Sequence, residues 1–247
     1  MNFFGQSSAL APAGPHAHLA ANVWWILFGL CATVYVSVVV VLLASVFLKK
    51  GEPSHRRQRL AVGLAGGATI VILLAILGAS VRAGHGMHPP PSEAGLTVKV
   101  IAHQWWWEII YPGSPANQTV FTANELHIPV RTKVLVQLTS RDVIHSFWVP
   151  ALHGKRDLIP GHDSTTFLEA DQPGIYHGQC AEFCGVAHAN MAFQVHAEPP
   201  DVFQRWLDQQ RKPAAAPVSQ SALQGQQLFM RTTCPGCHTI TGTDAGG

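Results

Sequence analysis

Cys180, Cys184, His188 and Met191 fall within one stretch, HGQCAEFCGVAHANM, and His145 lies upstream in DVIHSFWVP. Thiolate and thioether donors select copper, and imidazole suits copper and zinc alike. One thiolate with two imidazoles and a weak methionine is the set of a mononuclear electron-transfer copper. The second cysteine changes the count, because two thiolates can bridge two copper ions that share one electron. Each ion then takes one imidazole, His145 or His188. Met191 caps one ion weakly, and a backbone carbonyl, that of Glu182 between the cysteines, caps the other. Two simpler sets stay open on these residues: a tetrahedral structural zinc on Cys180, Cys184, His188 and His145, or a disulfide in an oxidising compartment. Met191 favours copper, because zinc rarely takes a thioether.

A second constellation is Cys234-Pro-Gly-Cys237-His238. At this spacing two thiols form thioethers with the porphyrin vinyls of haem c, and the histidine becomes the proximal iron ligand. A chance match or a thioredoxin-like pair is the competing reading, but no βαβ pattern surrounds the motif. No methionine follows His238, so a distal ligand is missing and the chain is expected to stop inside a cytochrome domain. Trp105, Trp106 and Trp107 form a third feature. On a strand, the first and third share a face and the second takes the other, so at least one is expected to be exposed. Packing and interface anchoring account for Trp106 and Trp107.

The chain that must position these groups has 247 residues, 47% hydrophobic and 12% charged, which points to a membrane protein with a water-facing part. A formal net charge of +2 gives no basic field for nucleic acid. No charged residue precedes Lys49, and Asn22 to Leu48 is long and apolar enough to cross about 30 Å of hydrocarbon. Leu60 to Val81 is a second such run. The loop between them holds Lys49, Lys50, Arg56, Arg57 and Arg59, whereas no Lys or Arg precedes the first run. That asymmetry makes the loop cytoplasmic, leaves both chain ends outside, and sets Trp24 and Trp25 at the outer interface. A cleaved signal peptide would need a basic leader and a shorter apolar core. Cys31, inside the first run, reads as a small lipid-facing or helix-packing residue.

From Leu96 the texture changes to short β-rich runs: LTVKVIAHQWWWEIIY, ELHIPV, KVLVQLTS, STTFLEA, GIYHGQ and MAFQVHAE. Alternation at Val98, Val100 and at Val134, Val136, Leu138 turns one face into a core. A short helix, DVFQRWLDQQ, and a Pro/Ala-rich linker follow. The expected organisation is a two-helix membrane hairpin in residues 1–95, an all-β sandwich in 96–200 and a helix and linker in 201–220. Residues 221–247 then begin a small all-α domain, with Ser221 as helix N-cap.

CAEFCGVAHANM, DVIHSFWVP, GKRDLIPGH and HQWWWEIIYP, after a two-helix hairpin, closely resemble subunit II of cytochrome c oxidase over residues 20–200. The resemblance implies a cupredoxin-like sandwich whose dicopper centre is held by His145, Cys180, Glu182 through its carbonyl, Cys184, His188 and Met191. It further implies that the Glu182 carboxylate reaches a Mg²⁺ shared with the catalytic subunit, a hard ion that takes oxygen ligands. Trp105, the first Trp of the family's Gln-Trp-x-Trp pattern, would lie over the copper where electrons enter. The motif at Cys234, Cys237 and His238 is similar to that of oxidases whose subunit II carries its own cytochrome c. The implied partners are oxidase subunit I and other oxidase subunits, cytochrome c and the membrane, with the bacterial inner membrane as location. The implied role is an electron relay from haem c through copper to a partner that reduces oxygen. The chain departs from the family where many members place a proton-channel Glu: it reads Arg59-Leu60-Ala61-Val62, and Glu52 is the nearest acid. A copper-free quinol oxidase subunit, a membrane-anchored copper carrier and the dicopper domain of a nitrous-oxide reducing enzyme are the rival readings.

Overall fold

The structure is a computed structural model that describes residues 8–48, 54–86, 91–115 and 118–245. Lys49, Lys50 and Glu52, invoked above, lie outside the described residues. Two long helices open the chain, α1 at Pro15–Phe47 and α2 at His55–Gly86, both apolar and long enough to cross a membrane. In the apolar stretches, hydroxyls turn back onto their own helix: Thr33 to the Gly29 carbonyl at 2.8 Å, Ser37 to Thr33 at 2.7 Å and Thr69 to Ala65 at 2.9 Å. Hydrocarbon would offer them no other acceptor. Cys31 is exposed on α1, in line with a lipid-facing residue.

Both helices exceed the apolar runs that announce them. Arg56, Arg57 and Arg59 sit in the first turns of α2 rather than in a loop. α1 starts at Pro15, whose ring presets the first helical φ, and not at Asn22. Its first turns are built against the β-domain: Ala17 and Ala21 are buried, and the rings of His16 and His153 meet edge to face at 4.9 Å. Just before the helix, the Ala13 amide donates to the Ala151 carbonyl at 2.7 Å, and the Ala13 carbonyl accepts from the Asp171 amide at 2.8 Å. Gly14 passes so close that a Cβ there would lie 2.1 Å from the Glu169 carbonyl oxygen. Gly14→Ala is therefore expected to lower the stability of the purified chain by about 1–3 kcal/mol, an overpacking cost. Gly29→Ala, with open space around it, should be neutral. Thermal unfolding of both variants checks this, and equal midpoints would mean that the tether carries no strain.

Among the described residues the β-domain is a sandwich of ten strands in two sheets. The strands are β1 (Leu96–His103), β2 (Trp106–Tyr111), β3 (Val120–Ala123), β4 (Glu125–Pro129), β5 (Val134–Ser140), β6 (His145–Trp148), β7 (Arg156–Leu158), β8 (Ser164–Leu168), β9 (Gly174–Cys180) and β10 (Ala192–Glu198). One sheet runs β3-β2-β1-β5-β8 and the other β4-β10-β9-β6-β7. β1 and β5 pair in parallel, matching Val98 with Val136 and Val100 with Leu138, and all four are fully buried, as the alternation predicts. The run LTVKVIAHQWWWEIIY is not one strand but a hairpin, with Gln104 and Trp105 in the turn between β1 and β2. Trp107 alone of the three tryptophans is fully buried, edge-on to Phe147 at 5.7 Å. Trp106 is exposed and stacks on His103 at 4.6 Å.

α3 (Pro200–Gln210) closes one edge of the sandwich through Phe203 and Leu207, and Trp206 lies flat on His127 at 3.9 Å. After the linker comes α4 (Gln220–Arg231), capped by Ser219 rather than Ser221: the Ser219 hydroxyl accepts from the Ala222 amide at 3.2 Å. The shift by two residues follows from the geometry of a cap, whose oxygen must reach the third amide beyond it.

Candidate metal centre

Two strands and a loop deliver the sulfur and imidazole donors to one end of the second sheet. β6 opens with His145, β9 closes with Cys180, and the loop from Ala181 leads to Met191 just before β10. The stem of this loop is pinched shut: the Cys180 amide donates to the Met191 carbonyl at 3.0 Å, and the Ala181 amide to the Ser146 carbonyl of β6 at 2.9 Å. A short turn at His188–Asn190 returns the chain to β10. His145, Cys180, Cys184 and Met191 are all buried.

The six residues expected to form one site do come together. The Cys180 and Cys184 sulfurs are 3.8 Å apart, far beyond the roughly 2.05 Å of a disulfide. That separation lets a metal ion held at about 2.3 Å from each sulfur bridge them. His145 Nδ1 is 3.8 Å from the Cys180 sulfur, and His188 Nδ1 is 3.5 Å from the Cys184 sulfur. Met191 Sδ lies 3.8 Å from Cys184, and the Glu182 carbonyl 3.2 Å from Cys180. Thiolate, thioether and imidazole in one buried cluster are a donor set that fits copper.

Electrostatics prepare the pair unequally. Burial raises the Cys180 thiol, but hydrogen bonds from His145 and the backbone outweigh it and hold the group down at about 6. Cys184 is pushed up to about 12 by burial and by the neighbouring Cys180 charge.

Sequence reasoning missed the residues behind the donors. Asp142 accepts from His145 Nε2 at 2.8 Å, so the opposite nitrogen, Nδ1, faces the sulfurs. The same carboxylate accepts from the amides of Gln104 at 2.7 Å and Val143 at 2.7 Å. Burial raises the Asp142 carboxyl, but these bonds prevail and keep it below its ordinary value. The spacing Asp-x-x-His was the available signal. Asp142→Asn is expected to weaken copper binding about 10–100-fold, the usual cost of losing the carboxylate behind a metal-binding histidine. Competition with a chelator measures it, and an unchanged affinity would mean that Asp142 does not orient His145.

Trp105 and Gln104, in the β1–β2 turn, reach over the loop. The indole Nε1 and the Gln104 Nε2 both donate to the Cys184 carbonyl, at 3.0 and 2.8 Å. Gly185 has φ +115°, and a Cβ there would sit 3.1 Å from both side chains, so a glycine lets them approach. Trp105 therefore touches the loop from a turn, not from the strand face shared with Trp107. The two polar ends of Glu182 part ways: its carbonyl turns to Cys180, and its exposed carboxylate meets Lys155 at 3.4 Å. Lys155 also pairs with Asp157 at 3.5 Å, which puts two carboxylates on one ammonium.

Cys234, Cys237 and His238 follow α4 on a tight turn in which the amides of Cys237 and His238 both donate to the Cys234 carbonyl, at 3.1 and 2.9 Å. Both sulfurs are free and exposed, and Phe229 of α4 lies 6.5 Å from the His238 ring.

A family model described as cytochrome C oxidase subunit II, periplasmic domain, matches residues 114–198. The cytochrome c oxidase subunit 2 of Bacillus subtilis is 33% identical over 62% of this chain but only 44% of its own length. The solved periplasmic domain of subunit II of cytochrome oxidase from Bradyrhizobium japonicum aligns at 32% identity and a TM-score of 0.46, covering 51% of this chain and 97% of that one. The cytochrome c oxidase subunit 2 of Alkalihalophilus pseudofirmus is 35% identical over 97% of this chain and 73% of that protein. Sharing more than a third of its residues with that relative along nearly its whole length, the chain belongs to the cytochrome c oxidase subunit 2 family.

Proposed function

We propose that the chain is the electron-input subunit of a respiratory haem-copper oxidase. It takes electrons from cytochrome c outside a bacterial plasma membrane and passes them to the catalytic subunit, which reduces oxygen to water. The observation that carries this reading is one buried cluster with two sulfurs 3.8 Å apart and a separate imidazole beside each. His145, Cys180, Cys184, His188, Met191 and the Glu182 carbonyl hold two copper ions there. When bound, such a pair supplies a one-electron store whose charge is shared by both ions and both thiolates. The protein's part is to keep the donors still and dry. The pinched stem fixes Cys180 against Met191, Asp142 fixes the His145 ring, and burial excludes water.

A single tetrahedral zinc would draw all four Cys and His donors around one centre. Here the imidazoles divide between the sulfurs, with His145 Nδ1 3.8 Å from Cys180 and His188 Nδ1 3.5 Å from Cys184, and one imidazole beside each sulfur supports two ions.

Trp105 is the residue at which electrons enter, supported by its bond to the Cys184 carbonyl. The Glu182 carboxylate is the group that would serve a Mg²⁺ at the interface with the catalytic subunit, on exchanging its pairing with Lys155 for the ion. Cys234, Cys237 and His238 attach a haem c, which makes the last part of the chain a fused cytochrome. The sandwich lies on the outer side, since Arg56, Arg57 and Arg59 mark the opposite end of the hairpin.

Metal and haem analysis of the purified full-length chain tests the reading. Two copper ions and one covalently bound haem per chain are the expected result. A single zinc held by the cysteine sulfurs in place of copper, or no intense thiolate-to-copper absorption, would overturn it.

A further inference from the structure

A second group of metal-type donors sits on the outer face of the second sheet, at the edge remote from β6. β4 and β10 pair in parallel, with His127 beside His196 and Glu125 beside Gln194. Strand alternation puts Glu125 and His127 on one face of β4, and the register brings Gln194, His196 and Glu198 onto the same face from β10. Glu125, His127 and His196 each offer a ligand atom within 4.8 Å of the others. His196 is five residues beyond Met191 on an extended strand, about 16 Å along it, so this group is separate from the sulfur cluster.

The surroundings give the group the build of a site. His127 Nδ1 meets the Glu198 carboxylate at 3.2 Å, and His196 Nε2 meets the Gln194 amide oxygen at 3.2 Å. Each bond occupies one ring nitrogen and leaves the other for a metal; because the two rings lie nearly parallel, one of them must turn about its Cβ–Cγ bond to aim that nitrogen at a shared ion. The rings of Trp206, His127 and His196 form one stack, at 3.9 Å and 4.6 Å with interplanar angles of 10° and 13°. α3 thereby roofs His127, while Glu125 stays exposed and keeps the group open to solvent. Two imidazoles and one carboxylate around an open side suit a borderline ion such as Zn²⁺, whereas Mg²⁺ and Ca²⁺ prefer oxygen alone.

We propose that Glu125, His127 and His196 bind a zinc-class divalent ion, with Glu198 as the hydrogen-bonded partner that orients His127. The ion would join the edge strand β4 to β10, the strand that leads directly out of the copper loop.

The test uses the full-length chain, loaded with copper, freed of loose metal and titrated with Zn²⁺ alone. The expected result is a zinc ion whose X-ray absorption shows nitrogen and oxygen neighbours without sulfur, which separates it from the thiol sites. Glu125→Gln and His196→Ala change residues outside the core and should preserve the fold and copper content. Each should weaken zinc binding by at least about tenfold, the lower end of what losing even an outer partner of a ligand costs. Absence of a sulfur-free zinc ion, or affinity unchanged in both variants, would overturn the proposal.

Discussion

Cys184→Ser is expected to reduce the copper content from two ions per chain to at most one. Electron delivery to the catalytic subunit should fall with it. Cys184 stands at the crossing of the cluster: its sulfur is 3.8 Å from Cys180, 3.5 Å from His188 Nδ1 and 3.8 Å from Met191 Sδ. A serine hydroxyl is hard, stays protonated at neutral pH and cannot bridge soft ions. Losing an outer partner of a ligand already costs about 10–100-fold in affinity, so loss of a bridging thiolate should exceed 100-fold for the second ion. Met191→Leu makes the contrast, because a weak axial thioether tunes a copper site more than it holds it. That variant should keep both ions and shift the reduction potential. Copper per chain, thiolate-to-copper absorption and cytochrome c oxidation are the readouts. Two ions retained in Cys184→Ser, or an empty site in Met191→Leu, would reverse the assigned order of the ligands.

Trp105→Leu is expected to slow electron arrival at the copper centre by at least about tenfold, equivalent to about 1.4 kcal/mol in the barrier. The substitution removes the π-system and the indole donor to the Cys184 carbonyl, yet keeps a large apolar side chain at the turn. Trp107→Leu is the control. It removes a fully buried ring packed on Phe147 and Phe193 at 5.7 and 5.2 Å, and should cost stability, on the order of 3 kcal/mol. In copper-replete Trp107→Leu, however, electron arrival should stay near the parent rate. Flash-induced reduction of both variants decides. Equal rates, or slowing only at Trp107, would reject Trp105.

The contrast between these tryptophans illustrates what could be read from the chain. Period-two alternation found the core faces of β1 and β5, because a half-buried strand writes its faces into residue type. It also treated Trp105 as a strand residue, because nothing local distinguishes a tight turn at Gln104-Trp105 from continued pleat. The grouping of Cys180, Cys184, His188 and Met191 was legible since they share one short stretch of sequence. Their supports were harder to read: Asp142 left only the spacing Asp-x-x-His as a signal, and Gln104 acts through contacts to Asp142 and Cys184 that exist only after the β1–β2 turn has packed. β6 itself, four residues long, is too short to show a period. His127 and His196 are far apart in the sequence and meet through a parallel pairing that no local pattern announces. The first turns of α1 escaped notice because they are ordered by the sandwich and not by lipid.

Those first turns also set a scale. Ala13 is bonded to Ala151 and Asp171, and the helix runs without interruption from Pro15 past Trp24 and Trp25. If those indoles mark the lipid surface, nine residues of helix separate it from the tether, a standoff of about 13 Å at about 1.5 Å per residue. The altitude of the cysteine loop and its compass bearing around the helix axis are thus quantised in residues, at about 1.5 Å and about 100° each. The chain carries its own ruler for setting that loop against the other oxidase subunits.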